Sequence, residues 1–258
     1  MITCRSAEEL VKLRASNQLV ARILDELRRL TVPGATTALL DAEAERMVRE
    51  AGAEPAFKGY RGFPATICAS RNHEVVHGIP SPTPLVEGDI LSIDMGVKLD
   101  GYYGDSAVTV GVGAIAADAR RLLEVTEASL YKGIDAVRPG ARVTDIGQAV
   151  QQYVEGQGFT VVRDFVGHGI GTKLHEEPQI PNYGPGGRGP RLSEGMVLAI
   201  EPMVNAGRPS VRVLSDGWTA VTTDGKLSAH FEHTVAVTAD GFEILTLRPV
   251  PQQVGAAL

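Results

Sequence analysis

Apolar positions near the start of the chain recur at helical spacing. Leu10, Leu13, Asn17, Val20, Leu24 and Leu27 advance in alternating steps of three and four behind a Ser6-Ala7-Glu8-Glu9 capping box. The spacing predicts an amphipathic helix packed on the protein's own sheet, because the pattern stops near Thr31, too early for a coiled coil. Pro33-Gly34 breaks it, and residues 36–51, with Leu40, Ala44, Met47 and Val48 on one side, predict a second helix ending at Gly52. Strand patterns follow. Residues 90–97 and 102–110 flank Asp100-Gly101, a favoured two-residue hairpin turn.

The second half repeats the plan. Residues 118–137 and 144–155 predict a helix pair, and strands begin near Phe159, Met196 and Phe231. Pro139-Gly140-Ala141 lies 106 positions after Pro33-Gly34-Ala35, and Gly158 lies 106 after Gly52. A helix, helix, strands unit used twice predicts an α+β fold with pseudo-twofold symmetry, roughly 6–112 and 115–248, and an active site between the halves. The loops at 78–86 and 184–195 are too short for interdomain linkers and are expected to form surface rims. The expectation is one domain over residues 1–258.

Four carboxylates interrupt this pattern. Asp94, Asp105, Glu201 and Glu232 sit within ILSIDMGV, YYGDSAVTV, MVLAIEPMV and HFEHTVAV, stretches that otherwise read as buried strand. Burying an ionised carboxylate costs several kcal/mol or more unless it is paired or bound to a metal. Pairing across Asp100-Gly101 sets Asp94 opposite Ala107 and Asp105 opposite Gly96, so both aspartates share a sheet face diagonally. A register moved by two residues sets them directly opposite, with Cβ atoms roughly 5 Å apart. In either register the two charges repel, and divalent cations would stabilise both ionised forms.

His168 stands in Gly167-His168-Gly169-Ile170-Gly171, where the glycines permit close approach of backbone and ligand. This run lacks the spacing of a dinucleotide fingerprint and no P-loop lysine follows it. Two Asp, two Glu and one His are oxygen-rich ligands that suit two divalent ions, Mn, Fe, Co or Zn, in a hydrolytic site.

Charge and composition narrow the alternatives. A net charge of −6 and a pI near 5.6 give no basic footprint for nucleic acid, and no Lys/Arg block marks a membrane face. MITCRSAEEL lacks the apolar core of a signal peptide, so a cytoplasmic protein is expected. Cys4 and Cys68 form neither a disulfide framework nor a zinc motif.

The ordered set Asp94, Asp105, His168, Glu201, Glu232, with residues 72–80 (NHEVVHGIP) upstream and His175-Glu176-Glu177-Pro178 between, resembles the bacterial type I methionine aminopeptidases. The resemblance runs through Ser92-Ile93-Asp94-Met95-Gly96, Gly167-His168-Gly169-Ile170-Gly171, Glu201-Pro202-Met203-Val204-Asn205, Asp216-Gly217-Trp218 and Glu232-His233-Thr234, from about Ala7 to Leu247. It implies the pita-bread fold, two pseudo-symmetric halves with helices packed outside a curved antiparallel sheet. It also implies removal of the initiator methionine from nascent proteins when the next residue is small, by a hydroxide bridging two divalent metal ions (Co, Mn, Fe or Zn).

By the same resemblance, Asp94 chelates one ion, His168 and Glu201 hold the other, and Asp105 and Glu232 bridge both. Glu201 relays a proton, His175 bonds the developing oxyanion, and His77 contacts the scissile or following amide. Tyr60, Phe63, Cys68 and Trp218 resemble the walls of the methionine pocket. The implied partners are nascent polypeptide N-termini, with at most a transient ribosome contact, for a monomeric enzyme. Departures from the family pattern are Phe57 in place of a small residue, Phe63 for tyrosine, Leu174 for phenylalanine and His230 for glutamine.

Three other readings fit less well. A proline-directed peptidase of the same fold normally carries a large N-terminal domain that this chain has no room for. A non-catalytic binding module of this fold would not need an intact ligand set. A nucleotide-binding enzyme built on the glycine-rich loop leaves the strand carboxylates unexplained. Nothing before Ser6 resembles a eukaryotic extension, and the interval from His175 to Glu201 is too short for a type II insertion.

Overall fold

The computed structural model describes residues 2–247; residue 1 and residues 248–258, among them the last position of the expected second repeat, lie outside the described residues. Helix α1 (Ala7–Leu30) opens with the expected capping box: Ser6 Oγ accepts from the Glu9 N–H, and the Ser6 N–H donates to Glu9 Oε2 at 2.9 Å. Helix α2 (Thr37–Glu50) is capped by Thr36, whose Oγ1 accepts the Leu39 N–H at 3.1 Å. Helices α3 (Ala117–Ile134) and α4 (Val143–Gly156) form the second pair.

The repeat reaches down to backbone torsions. Helices α2 and α4 are both 14 residues long and start 106 positions apart. Gly34 and Gly140 have φ of 87° and 85°, and Gly52 and Gly158 have 71° and 82°. Left-handed φ is strained for residues with a Cβ, so the turns before and after each helix fix glycine at equivalent places.

Every strand pairing among the described residues is antiparallel. Strand Ile90–Leu99 pairs with Tyr102–Gly111 and with Ile67–Arg71, and Asp94 stands opposite Ala107 and Asp105 opposite Gly96, the first of the two registers considered above. Asp100 (φ 50°) and Gly101 (φ 85°) both take left-handed torsions, as a type I′ turn requires. Alternation then sorts the long strand. Leu91, Ile93, Met95 and Val97 pack against Val20, Ile23, Leu27, Leu40 and Val48 of α1 and α2. Asp94 points to the opposite face.

The second half builds its own core: Leu122, Leu130 and Ile134 of α3 and Ile146, Val150 and Val154 of α4 pack on Leu198, Ile200, Val204 and Val235. Its main sheet runs in the order Phe242–Ile244, His233–Val237, Val197–Ile200, Gly167–Gly169, Glu176–Ile180. The expected strand through Glu232 is broken. Ser228–His230 and His233–Val237 belong to different sheets, and Glu232 forms only a bridge with Ala107.

That bridge is the seam between the halves. The Glu232 N–H donates to Ala107 O at 2.9 Å, and three hydroxyls complete the junction. Ser106 Oγ donates to Glu232 O at 2.6 Å, Thr109 Oγ1 to His230 O at 2.7 Å and Thr234 Oγ1 to Asp105 O at 2.8 Å. Side chains thus satisfy main-chain carbonyls where the two sheets meet without a full ladder.

Candidate active site

The candidate site residues line one cavity beside the seam: Asp94, Asp105, His168, Glu201 and Glu232 at its base, with His77, His175, Tyr60, Phe63, Cys68 and Trp218 around them. Phe57, Arg61 and Leu174 complete the lining. The loop at 59–63 and the glycine-flanked strand Gly167–Gly169 bring these groups together.

Among the described residues no lysine or arginine forms an ion pair with the carboxylates of the base, whose basic neighbours are histidines. Asp105 and Glu232 are each only 3% exposed. Asp94 Oδ1, Asp105 Oδ1 and Glu232 Oε1 are buried without a hydrogen-bond partner among the described residues. Burial pushes Asp94 up to about 7. Asp105 is raised well above the usual carboxylate range by burial, then by the Asp94 and Glu201 charges. Glu201 is raised by burial and then by Asp94; Glu232 is raised by burial and then by Asp105, Glu201 and Asp94.

His168 faces the same point. Its Nε2 lies 3.6 Å from Glu201 Oε1 and 3.8 Å from Asp105 Oδ2, while Nδ1 is 2.9 Å from the Gly169 carbonyl. A carbonyl can only accept, so Nδ1 carries the hydrogen and the Nε2 lone pair is turned toward the carboxylates. Burial lowers His168 to about 4, so the ring is neutral at physiological pH. It therefore does not neutralise the acidic cluster as an imidazolium. Ligand atoms of Asp105, His168 and Glu232 lie within 4.8 Å of one another. Oxygen ligands with one imidazole, unpartnered buried oxygens and convergent geometry fit a divalent cation.

The walls are aromatic. Tyr60 and His175 stack with centroids 5.3 Å apart, and His175 Nδ1 is 3.0 Å from Tyr60 Oη. His175 is exposed at the mouth; its pKa is lowered, first by desolvation and then by His168 and Arg61. Phe63 and Trp218 meet edge to face at 5.2 Å. His77, in a left-handed conformation (φ 60°), sets its ring 5.4 Å from Phe165 and 6.5 Å from Trp218. The next residue, Gly78, has no room for a Cβ beside Ala69 O. Cys68 pairs with Asp94 across the sheet, and burial, then the Asp94 charge, raises its thiol and so disfavours the reactive thiolate.

Residues 11–239 match the model of metallopeptidase family M24. The chain belongs to this family. Among M24 relatives it is 56% identical over 246 residues to methionine aminopeptidase 1 of Bacillus subtilis, covering 95% of this chain and 99% of the relative. It is 52% identical over 247 residues to the methionine aminopeptidase of Clostridium perfringens, covering 96% and 99%. The crystal structure of methionine aminopeptidase from Rickettsia prowazekii superimposes with a TM-score of 0.95 at 46% identity, covering 96% of this chain and all of that one. The architecture is accordingly the pita-bread fold, and M24 membership implies use of a divalent metal.

Two neighbours of this M24 site were not singled out for a role there. Arg61, between Gly59 and Gly62, reaches the cavity from a left-handed backbone (φ 50°), for which the flanking glycines were the available signal. His230 Nε2 is buried without a hydrogen-bond partner among the described residues, 3.9 Å from Glu201 Oε2. The sequence marked His230 only as a departure from glutamine.

Proposed function

We propose that this chain removes N-terminal methionine from nascent polypeptides as a divalent-metal aminopeptidase, with a preference for a small following residue. The observation that carries the reading is a cluster of buried, uncompensated carboxylates with one neutral imidazole at the base of an aromatic-walled cavity. High identity to methionine aminopeptidases along nearly the whole chain supports it.

Asp94, Asp105, His168, Glu201 and Glu232 would hold two ions, of Co, Mn, Fe or Zn, with Asp105 and Glu232 shared between them. When bound, such ions supply a hydrolytic nucleophile at neutral pH and offset the negative charge of the cluster. The protein's own groups then divide the work. Phe63, Cys68, Trp218 and the Tyr60 ring receive the methionine side chain, a thioether that packs well against aromatic edges. Glu201, at the base of the cavity, takes and returns the proton that must reach the leaving nitrogen. His175, neutral and tethered to Tyr60, donates to the oxygen of the scissile carbonyl as charge builds there. His77 bonds the amide that follows.

The whole chain, residues 1–258, acts as one catalytic unit with its pseudo-repeats at roughly 6–112 and 115–248. It works as a cytoplasmic monomer whose contact with the ribosome is at most transient. Among the described residues no helix is long and apolar enough to cross a membrane.

The test is cleavage of Met-Gly and Met-Ala peptides against X-Pro peptides, before and after chelation. Release of methionine that stops with chelator and returns with Mn, Co or Fe is expected. Chelator-insensitive or proline-directed cleavage would overturn the proposal.

A further inference from the structure

Arg5 lies outside the matched family segment, 11–239, and its side chain is only 5% exposed. A buried guanidinium requires partners. Glu9 Oε1 is 3.3 Å away, and Glu176, 171 positions on in sequence, forms a close ion pair with it. The backbone fixes it as well: the Arg5 N–H donates to Gly195 O at 2.7 Å. A Cβ on Gly171 would collide with the guanidinium itself.

Glu176 has a second task. Its Oε1 accepts the Lys173 N–H at 3.0 Å and the Thr172 hydroxyl at 3.3 Å, closing the turn between strands Gly167–Gly169 and Glu176–Ile180. The start of that turn is pinned by the Tyr103 N–H, which donates to Gly171 O at 2.8 Å. Leu174 and His175 ride on it into the cavity, where the His175 ring lies 4.2 Å from the His168 ring.

We propose that Arg5 is a positioning residue for His175. Its guanidinium holds Glu176, Glu176 closes the turn, and the turn aims the imidazole. The inference rests on the role given to His175 above. Arginine suits the place because its planar fork reaches two carboxylates while lying flat over Gly171, which a lysine ammonium cannot do.

The test is a double-mutant cycle on the metal-loaded enzyme with a Met-Ala peptide, comparing Arg5→Ala, His175→Ala and the double variant. Arg5→Lys, Glu176→Gln and hydrogen exchange of the Lys173 amide run alongside. Arg5→Ala is expected to lower kcat roughly ten- to a hundredfold, the scale of a small misplacement of a reacting group, with KM little changed and the Lys173 amide exchanging faster. Arg5→Lys should recover part of the loss. In the His175→Ala background, Arg5→Ala should cost nothing further. An equal loss in both backgrounds, or full kcat in a folded Arg5→Ala protein, overturns the inference. Full kcat in His175→Ala alone removes the role of His175 first and the inference with it. If Arg5→Ala does not fold, Glu176→Gln decides by the same criteria.

Discussion

Asn17 Oδ1 accepts the backbone N–H of Asp105 at 3.2 Å, while its Nδ2 donates to Leu13 O at 2.8 Å within α1. Gly104 permits this contact, since a Cβ there would lie 2.8 Å from the α1 backbone at Ser16 and Asn17. Helix and strand therefore meet main chain to main chain beside a proposed metal ligand. Replacing Asn17 with alanine leaves a buried donor unpaired, which costs about 1–3 kcal/mol. Asn17→Ala should lower the denaturant midpoint and weaken divalent-ion binding, measured by urea titration and calorimetry. Unchanged ion affinity would mean that the bond serves the helix alone.

Ions that bind the folded chain and not the unfolded one must raise its stability. At a free concentration of a hundred times Kd the gain is about 2.7 kcal/mol. For a domain of this size that corresponds to roughly 5–10 °C in unfolding temperature. Mn or Co should produce such a rise and chelator should reverse it. Glu232→Gln removes one buried charge, so it should match or exceed the parent without ions and gain less from them. A melting temperature indifferent to divalent ions would count against the ligand set.

The two thiols differ in environment. Cys4 is exposed, whereas Cys68 is buried and its thiol is pushed up, first by burial and then by Asp94. The thiolate is the reactive species. At neutral pH a thiol reagent should modify one cysteine in the native protein and both after denaturation. Rapid native modification of Cys68 would contradict the raised thiol.

Asp216 organises the turn that presents Trp218. It accepts from the Thr219 hydroxyl at 2.6 Å and from the Trp218 and Thr219 N–H groups at 2.8 and 2.9 Å, and these bonds lower its carboxyl. A depressed folded value stabilises the protein above the unfolded reference of about 3.9, and the contribution fades as pH falls through the lower folded value. The stability difference between parent and Asp216→Ala should therefore be largest above about pH 5 and shrink on acidification. Trp218, the sole tryptophan, provides the fluorescence signal. A pH-independent difference would assign the effect to the turn's packing.

Features with a local period were legible in the sequence. Asp100-Gly101 located the hairpin and narrowed its register to two, of which the structure has the first, and the 106-residue offset located α2 and α4 in matching places. Pairing across the turn together with strand alternation put Asp94 and Asp105 on one face in either register. Glu232 was misread as lying within a continuous strand, because its flanks join different sheets and it pairs across the seam only with Ala107. Asn17 counted as one more position in an apolar stripe, although an amide there was the signal for a buried polar partner. The Arg5–Glu176 pair spans 171 positions and leaves no period behind.

The hydroxyl seam bears on how the enzyme comes into being. Its three bonds join residues 126, 121 and 129 positions apart. Closing such distant pairs is the slow part of folding, because chain entropy is lost before the contact rewards it. Asp94 and Asp105 can share a face as soon as their hairpin forms, but His168, Glu201 and Glu232 join them only when the seam closes. A half-length chain would carry only part of the proposed ligand set, and tight ion uptake during refolding would mark the molecules that have reached the native state.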